Sequence, residues 1–79
     1  MQIEYKPQVV KQMQKIPFVQ RKKILHKLNQ LMFDPLAGKT LRGELEGLRS
    51  LRAWPYRIVY ELEKEKIIIY SIVHRQSVY

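Results

Sequence analysis

The apolar residues of this chain change their period part-way along, and that change limits the fold more than any other feature. Between residues 7 and 33 they recur at helical spacing, whereas between 48 and 73 they alternate or run together. The first pattern lays an apolar stripe along a helix; the second sends side chains to alternate faces of a strand. Helices followed by strands make an α+β domain, with the helices gathered against an antiparallel sheet.

Local signals set the expected boundaries. Residues 2–6 suit a short opening strand around Ile3. Pro7 fits the first position of a helix, where its missing N–H costs nothing. Val9, Val10, Met13 and Ile16 continue that helix, and Pro17 ends it. A second helix is predicted over 18–33, with Ile24, Leu25, Leu28, Leu31 and Met32 as its apolar stripe and Arg21, Lys22, Lys23 and Lys27 on its remaining surface. The two form a helical hairpin that Asp34-Pro35 stops. The stretch 36–47, with Gly38, Gly43 and Gly47 and no period, reads as a loop. Three strands are then expected over 48–54, 56–62 and 67–73, with Glu63-Lys64-Glu65 as a turn. The last is almost wholly apolar, as in a strand covered on both faces. The reading is one domain over 1–79: a strand and a helical hairpin packed on an antiparallel sheet. One sheet face lies under the helices and the other is free for polar and basic groups.

Charge indicates what such a face would meet. Lys and Arg number 15 against 7 Asp and Glu, a formal net charge of +8 spread along the chain. That excess attracts polyanions; solubility alone is served by a balanced surface. Cysteine is absent, which excludes disulfides and thiolate metal sites and fits a reducing compartment. The opening residues lack the apolar core of a signal peptide, and no apolar run approaches the roughly 20 residues of a membrane helix. The expected location is the cytoplasm, away from membranes.

The residues that could carry chemistry are few. With only His26 and His74 and no closely spaced acidic set, a protein metal site is not expected. The glycines are too widely spaced to cradle a phosphate, so no cofactor is expected either. Ser50, Ser71 and Ser77 lack a nucleophile context, and His26 reads as a solvated surface residue. What remains is basic and aromatic. Arg57 alternates with Tyr56, Ile58 and Tyr60, so it points to the opposite face. Arg49 and Arg52 on the preceding strand, and His74, Arg75 and Tyr79 after the last, are expected to converge with it on one concave surface. Arginine suits phosphate because its planar guanidinium makes paired charge-assisted bonds. Tyrosine and histidine can stack on unpaired bases. The same arginines could instead pair with Glu44, Glu46, Glu61 and Glu63. Trp54, Tyr56, Tyr60 and Tyr70 read as core or sheet residues rather than base platforms.

Three strings sharpen this: Leu41-Arg42-Gly43-Glu44-Leu45-Glu46-Gly47-Leu48-Arg49-Ser50-Leu51-Arg52, then Pro55-Tyr56-Arg57-Ile58-Val59-Tyr60, then His74-Arg75-Gln76-Ser77-Val78-Tyr79. Together they resemble the RelE branch of the RelE/ParE toxin superfamily, and the resemblance spans nearly the whole chain. It implies a microbial-RNase-like fold and a toxin of a type II toxin–antitoxin pair. It also implies metal-independent cleavage of messenger RNA in the ribosomal A site. A cognate antitoxin would neutralise the toxin, and the complex would bind operator DNA through the antitoxin. By the same resemblance Arg57 binds the phosphate at the cut, Arg75 is the arginine of the closing motif, and Tyr79 orients the RNA. His74 is the candidate acid or base, since histidine changes charge near neutral pH. Arg52 matches a family arginine, and Arg49, Lys39 and Arg42 complete the RNA-binding set. Leu48 and Ser50 stand where the best-known RelE has two functional lysines. The alternative is a non-catalytic, gyrase-inhibiting toxin of the ParE kind, because the two share a fold.

Overall fold

The computed structural model describes residues 1–76. Strand β1 (Gln2–Tyr5) leads into helices α1 (Pro7–Lys15) and α2 (Phe18–Phe33). A two-residue strand, β2 (Lys39–Thr40), and a 3₁₀ turn (Gly43–Leu45) follow. Three longer strands close the described chain: β3 (Arg49–Ala53), β4 (Tyr56–Leu62) and β5 (Lys66–His74). The α+β architecture is the expected one, but the sheet has five strands in the order β1-β5-β4-β3-β2. β1 joins it parallel to β5, and β2 pairs with β3 from within the stretch read as loop. Neither pairing has a local signature, because both depend on where distant residues lie after folding.

Strand alternation sorts the two faces. Ile58 and Tyr60 of β4, Ile67, Ile69 and Ile72 of β5, and Ala53 of β3 meet Val9, Ile16, Ile24, Leu28 and Leu31 from the helices in one core. Burying each large aliphatic side chain contributes about 1.5–3 kcal/mol. The helical stripe is narrower than expected, since Val10, Leu25 and Met32 are exposed. On the other face Val59 and Ile68 are also buried; Val59 lies between Ser50 and Ser71, Ile68 between Glu4 and Glu61. So β5 is covered on both sides only near Ile68.

β1 pairs with β5 only as far as Ile69. Beyond it, α1 covers the strand's edge. The Lys6 N–H donates to the Ile69 carbonyl at 3.0 Å, and the Gln8 amide donates to the Tyr70 carbonyl. One turn on, Gln12 accepts from the Ile72 N–H at 2.8 Å and donates to Ser71 Oγ at 3.3 Å. Gln8 and Gln12 share a helix face because they are four residues apart. The edge they cap is where the β4–β5 register shifts at Val59/Tyr60: Tyr70 is the extra residue on β5, and this bulge lets Ile69 and Ile72, three residues apart, both face the core.

A second tie holds the chain between α2 and β2. Tyr60 is 0% exposed, and its hydroxyl accepts from the Gly38 N–H at 2.9 Å while donating to the Pro35 carbonyl at 2.8 Å. Arg49 donates to the Gly38 carbonyl at 2.9 Å. The approach is so close that a Cβ at Gly38 would lie 2.6 Å from the Tyr60 hydroxyl. Burial raises the pKa of that hydroxyl; the Gly38 N–H and the Arg49 charge oppose the rise, and Asp34 adds to it.

This tie is open to mutation. Gly38→Ala lowers unfolding free energy by about 2–3 kcal/mol through overpacking, and Tyr60→Phe by about 1–3 kcal/mol through the unpaired groups left behind. In urea melts the double variant costs less than the sum of the two, since both break one contact. A raised pKa means the folded state holds its proton more tightly, so this contribution is intact below pH ~10 and is lost as pH rises through the folded value. Tyr60→Phe therefore flattens the alkaline limb of the stability–pH curve.

Candidate functional site

The β3–β4 register sets Arg52 directly opposite Arg57, and Ser50 opposite Val59; the β2–β3 register sets Lys39 opposite Ser50. These residues lie on the sheet face away from the helices. Opposed residues have Cβ atoms about 5 Å apart, and like charges so placed destabilise the sheet. Among the described residues neither arginine has a carboxylate partner. The ion pairs there join Lys66 to Glu4 at 3.6 Å and to Glu63 at 3.7 Å, at the far end of the sheet. Beside the arginines, Ser50 is 5% exposed, and among the described residues its Oγ has no hydrogen-bond partner. An open groove of ≈ 600 Å³ takes in Lys27, Lys39, Ser50, Arg52, Trp54 and Arg57. Paired guanidinium groups and a lysine, all of them donors, match the oxygens of a phosphate.

The remaining candidates separate. Arg49 pairs with Tyr60, faces the helices and is committed to the Gly38 carbonyl. His74 pairs with Tyr56 on that same helix side; the two rings meet edge-on at 5.1 Å and 89°, and His74 Nδ1 accepts from the Gln76 N–H at 3.2 Å. The expected convergence of Arg49 and His74 with Arg57 is therefore corrected. Arg49 and Arg52 are an odd number of residues apart in one strand, which alone sends them to opposite faces. Arg42 is exposed before the 3₁₀ turn and outside the groove. Arg75 lies just past β5: its N–H donates to the Pro55 carbonyl at 2.8 Å and its guanidinium sits 4.8 Å from the centre of the Trp54 ring. Tyr79 falls outside the described residues.

Trp54 is a second correction. It occupies the β3–β4 turn and is 56% exposed, not packed in sheet or core. The Trp-Pro pair between two alternating runs is the available signal, since X-Pro there marks a turn. Sequence reasoning also misses Lys27 and Ser50. Lys27 comes from α2 and no strand pattern places it; Ser50 carries no motif and matters only through its surroundings.

The sequence pattern of the family described as the ParE toxin of the type II toxin–antitoxin system parDE matches residues 3–79. The chain belongs to that toxin family. Among solved structures, the toxin resembles a chain of the toxin–antitoxin complex RelBE2 from Mycobacterium tuberculosis, with a TM-score of 0.85 and 27% identity over 94% of this chain and 96% of that one. It also resembles the YoeB/ParE toxin from Agrobacterium tumefaciens, with a TM-score of 0.82 and 18% identity over 94% and 98% of the two chains. A chain of the archaeal RelE–RelB complex from Pyrococcus horikoshii gives a TM-score of 0.78 and 22% identity over 98% and 97%. No curated protein sequence matches the chain. The toxin is thus a RelE/ParE superfamily member with the fold of the RelE and YoeB toxins. Among the described residues no helix is long and apolar enough to cross a membrane, and no three His, Asp or Glu side chains gather as metal ligands would.

The arginines can be told apart by stability. Arg52→Gln or Arg57→Gln relieves the like-charge pair and raises unfolding free energy by roughly 0.2–1 kcal/mol at low salt. At 1 M salt, where screening acts within about 3 Å, the gain disappears. Arg49→Ala instead lowers stability by about 1 kcal/mol, because it removes the bond to Gly38. Denaturant melts of the three variants at both ionic strengths give the comparison.

Proposed function

We propose that this toxin is a ribosome-dependent endoribonuclease that cuts messenger RNA in the A site. The observation that carries the reading is the opposed Arg52–Arg57 pair on the open sheet face, without carboxylate partners among the described residues and with Lys39 in the same groove. A fold retains such a repulsive contact where an anion offsets it. The resemblance of the Tyr56–Tyr60 and His74–Tyr79 strings to RelE supports RNA as that anion, as does the 27% identity to the RelBE2 chain.

The chemistry asked of the groove is attack by a ribose 2′-oxygen on the adjacent phosphorus. The 2′-OH gives up its proton, the P–O5′ bond breaks, and the leaving 5′-oxygen takes a proton. The products are a 2′,3′-cyclic phosphate and a 5′-hydroxyl. Arg57 and Arg52 stabilise the charge that builds on the phosphate oxygens, in a position fixed before substrate arrives. Lys39 stands in the groove beside them, which partly answers the absence of lysine at Leu48 and Ser50. His74, on the other face of the strand, is left out of this cluster, so proton exchange falls to Tyr79 or to water. A cognate antitoxin is the expected partner of the assembled toxin. The RelBE2 complex and the YoeB–YefM complex from Staphylococcus aureus are assemblies of that kind. Binding to operator DNA would come through the antitoxin.

Expression in cells, followed by primer extension, is the test: cuts within translated codons and growth arrest are expected. Arg57→Ala should lower the cleavage rate by about 10²–10³ and relieve the arrest. His74→Gln should retain most activity. Arrest with intact messages, together with inhibited supercoiling by purified gyrase, would instead identify a gyrase inhibitor.

A further inference from the structure

Next to the arginine groove lies another that the cleavage scheme does not use. It is open, ≈ 430 Å³, and runs between α2 and the β3–β4 turn, lined by Lys22, Lys23, His26, Lys27, Ala53 and Trp54. Lys27 and Trp54 line both grooves, so the two are continuous. Positions 22, 23, 26 and 27 recur at helical spacing, which brings their side chains to one side of α2. The indole is more than half exposed, against the usual burial of tryptophan. Arg75, 4.8 Å from the ring centre, holds its plane in place and adds a further cation. Among the described residues no carboxylate lines either groove.

A flat aromatic beside a row of cations binds unpaired nucleotides: a base stacks on the ring while the cations follow the phosphates. An acidic amphipathic helix would need apolar anchors at helical spacing. This groove offers only Trp54 and Ala53, while the exposed Val10, Val19, Leu25 and Phe33 lie outside it. We propose that the groove is a second nucleotide subsite. Trp54 stacks on an unpaired base next to the phosphate held by Arg52 and Arg57, and Lys22, Lys23 and Lys27 bind the phosphates that follow. The subsite rests on the RNA reading of the arginine groove and extends it from one phosphate to a short single strand.

Trp54 is the chain's one tryptophan, so its fluorescence reports on this subsite directly. The 79-residue toxin is titrated with a short single-stranded 2′-O-methyl RNA, which binds but cannot be cut. Quenching of Trp54 is the expected result. In anisotropy titrations of the same labelled RNA, Trp54→Leu weakens binding roughly five- to a hundredfold. The Lys22→Gln/Lys23→Gln/Lys27→Gln variant lowers the slope of log affinity against log salt by about 0.7 for each phosphate that is no longer neutralised. RNA bound without quenching and with affinity unchanged in both variants overturns the subsite. Quenching by an acidic helical peptide but not by RNA overturns it as well, in favour of a protein partner. The cellular cleavage assay fails or succeeds separately. Cuts without quenching remove the subsite and leave the nuclease; quenching without cuts does the reverse.

Discussion

The register of the β3–β4 hairpin is the constraint on which the rest of the structure depends. It is set at a two-residue turn, Trp54-Pro55, from which Ala53 faces Tyr56 and Arg52 faces Arg57. A strand has period two, so a slip of one residue would exchange the faces. Leu51 and Ile58 would leave the helices, and the arginines would be driven into the core. One geometric choice thus fixes both the packing of the apolar side and the clustering of cations on the other. The stability of the hydrophobic face holds together a charge pair that the sheet would not otherwise favour.

Tyr60 extends that constraint into the connection between helices and sheet. Its ring is core, while its hydroxyl reaches the backbone of Pro35 and Gly38. The segment that delivers Lys39 to the groove is therefore positioned from inside the protein. Arg49 serves the same segment from the helix side. Two arginines three positions apart in one strand so have unrelated duties, one holding backbone and one facing solvent.

Much of this is legible in the sequence. The change of period indicates the fold class, both helices and the three long strands to within a residue or so. Alternation around Arg57 indicates its face. What local pattern cannot carry is pairing across the chain: β1 alongside β5, β2 alongside β3, and the bulge at Val59/Tyr60. The site is legible in part. Its central arginine stands out, but nearness along the chain misleads at Arg49 and His74, where strand parity decides the face. The resemblance to RelE points to the ends of the strands and away from Trp54 and Lys27, which belong to none of the three strings that carry it.

The glutamine pair on α1 has a consequence for how any partner can approach. An uncovered strand edge invites another chain to add a strand by backbone pairing. Gln8 and Gln12 occupy that position along the later part of β5, and at the other end of the sheet β2 offers only two residues. Among the described residues β1 borders the sheet with four residues, and on the opposite border β3 runs on through Leu51–Ala53 past its pairing with β2. A protein seeking this toxin by sheet extension is directed toward β1 or the last residues of β3, and otherwise toward side chains on the helices and the open face.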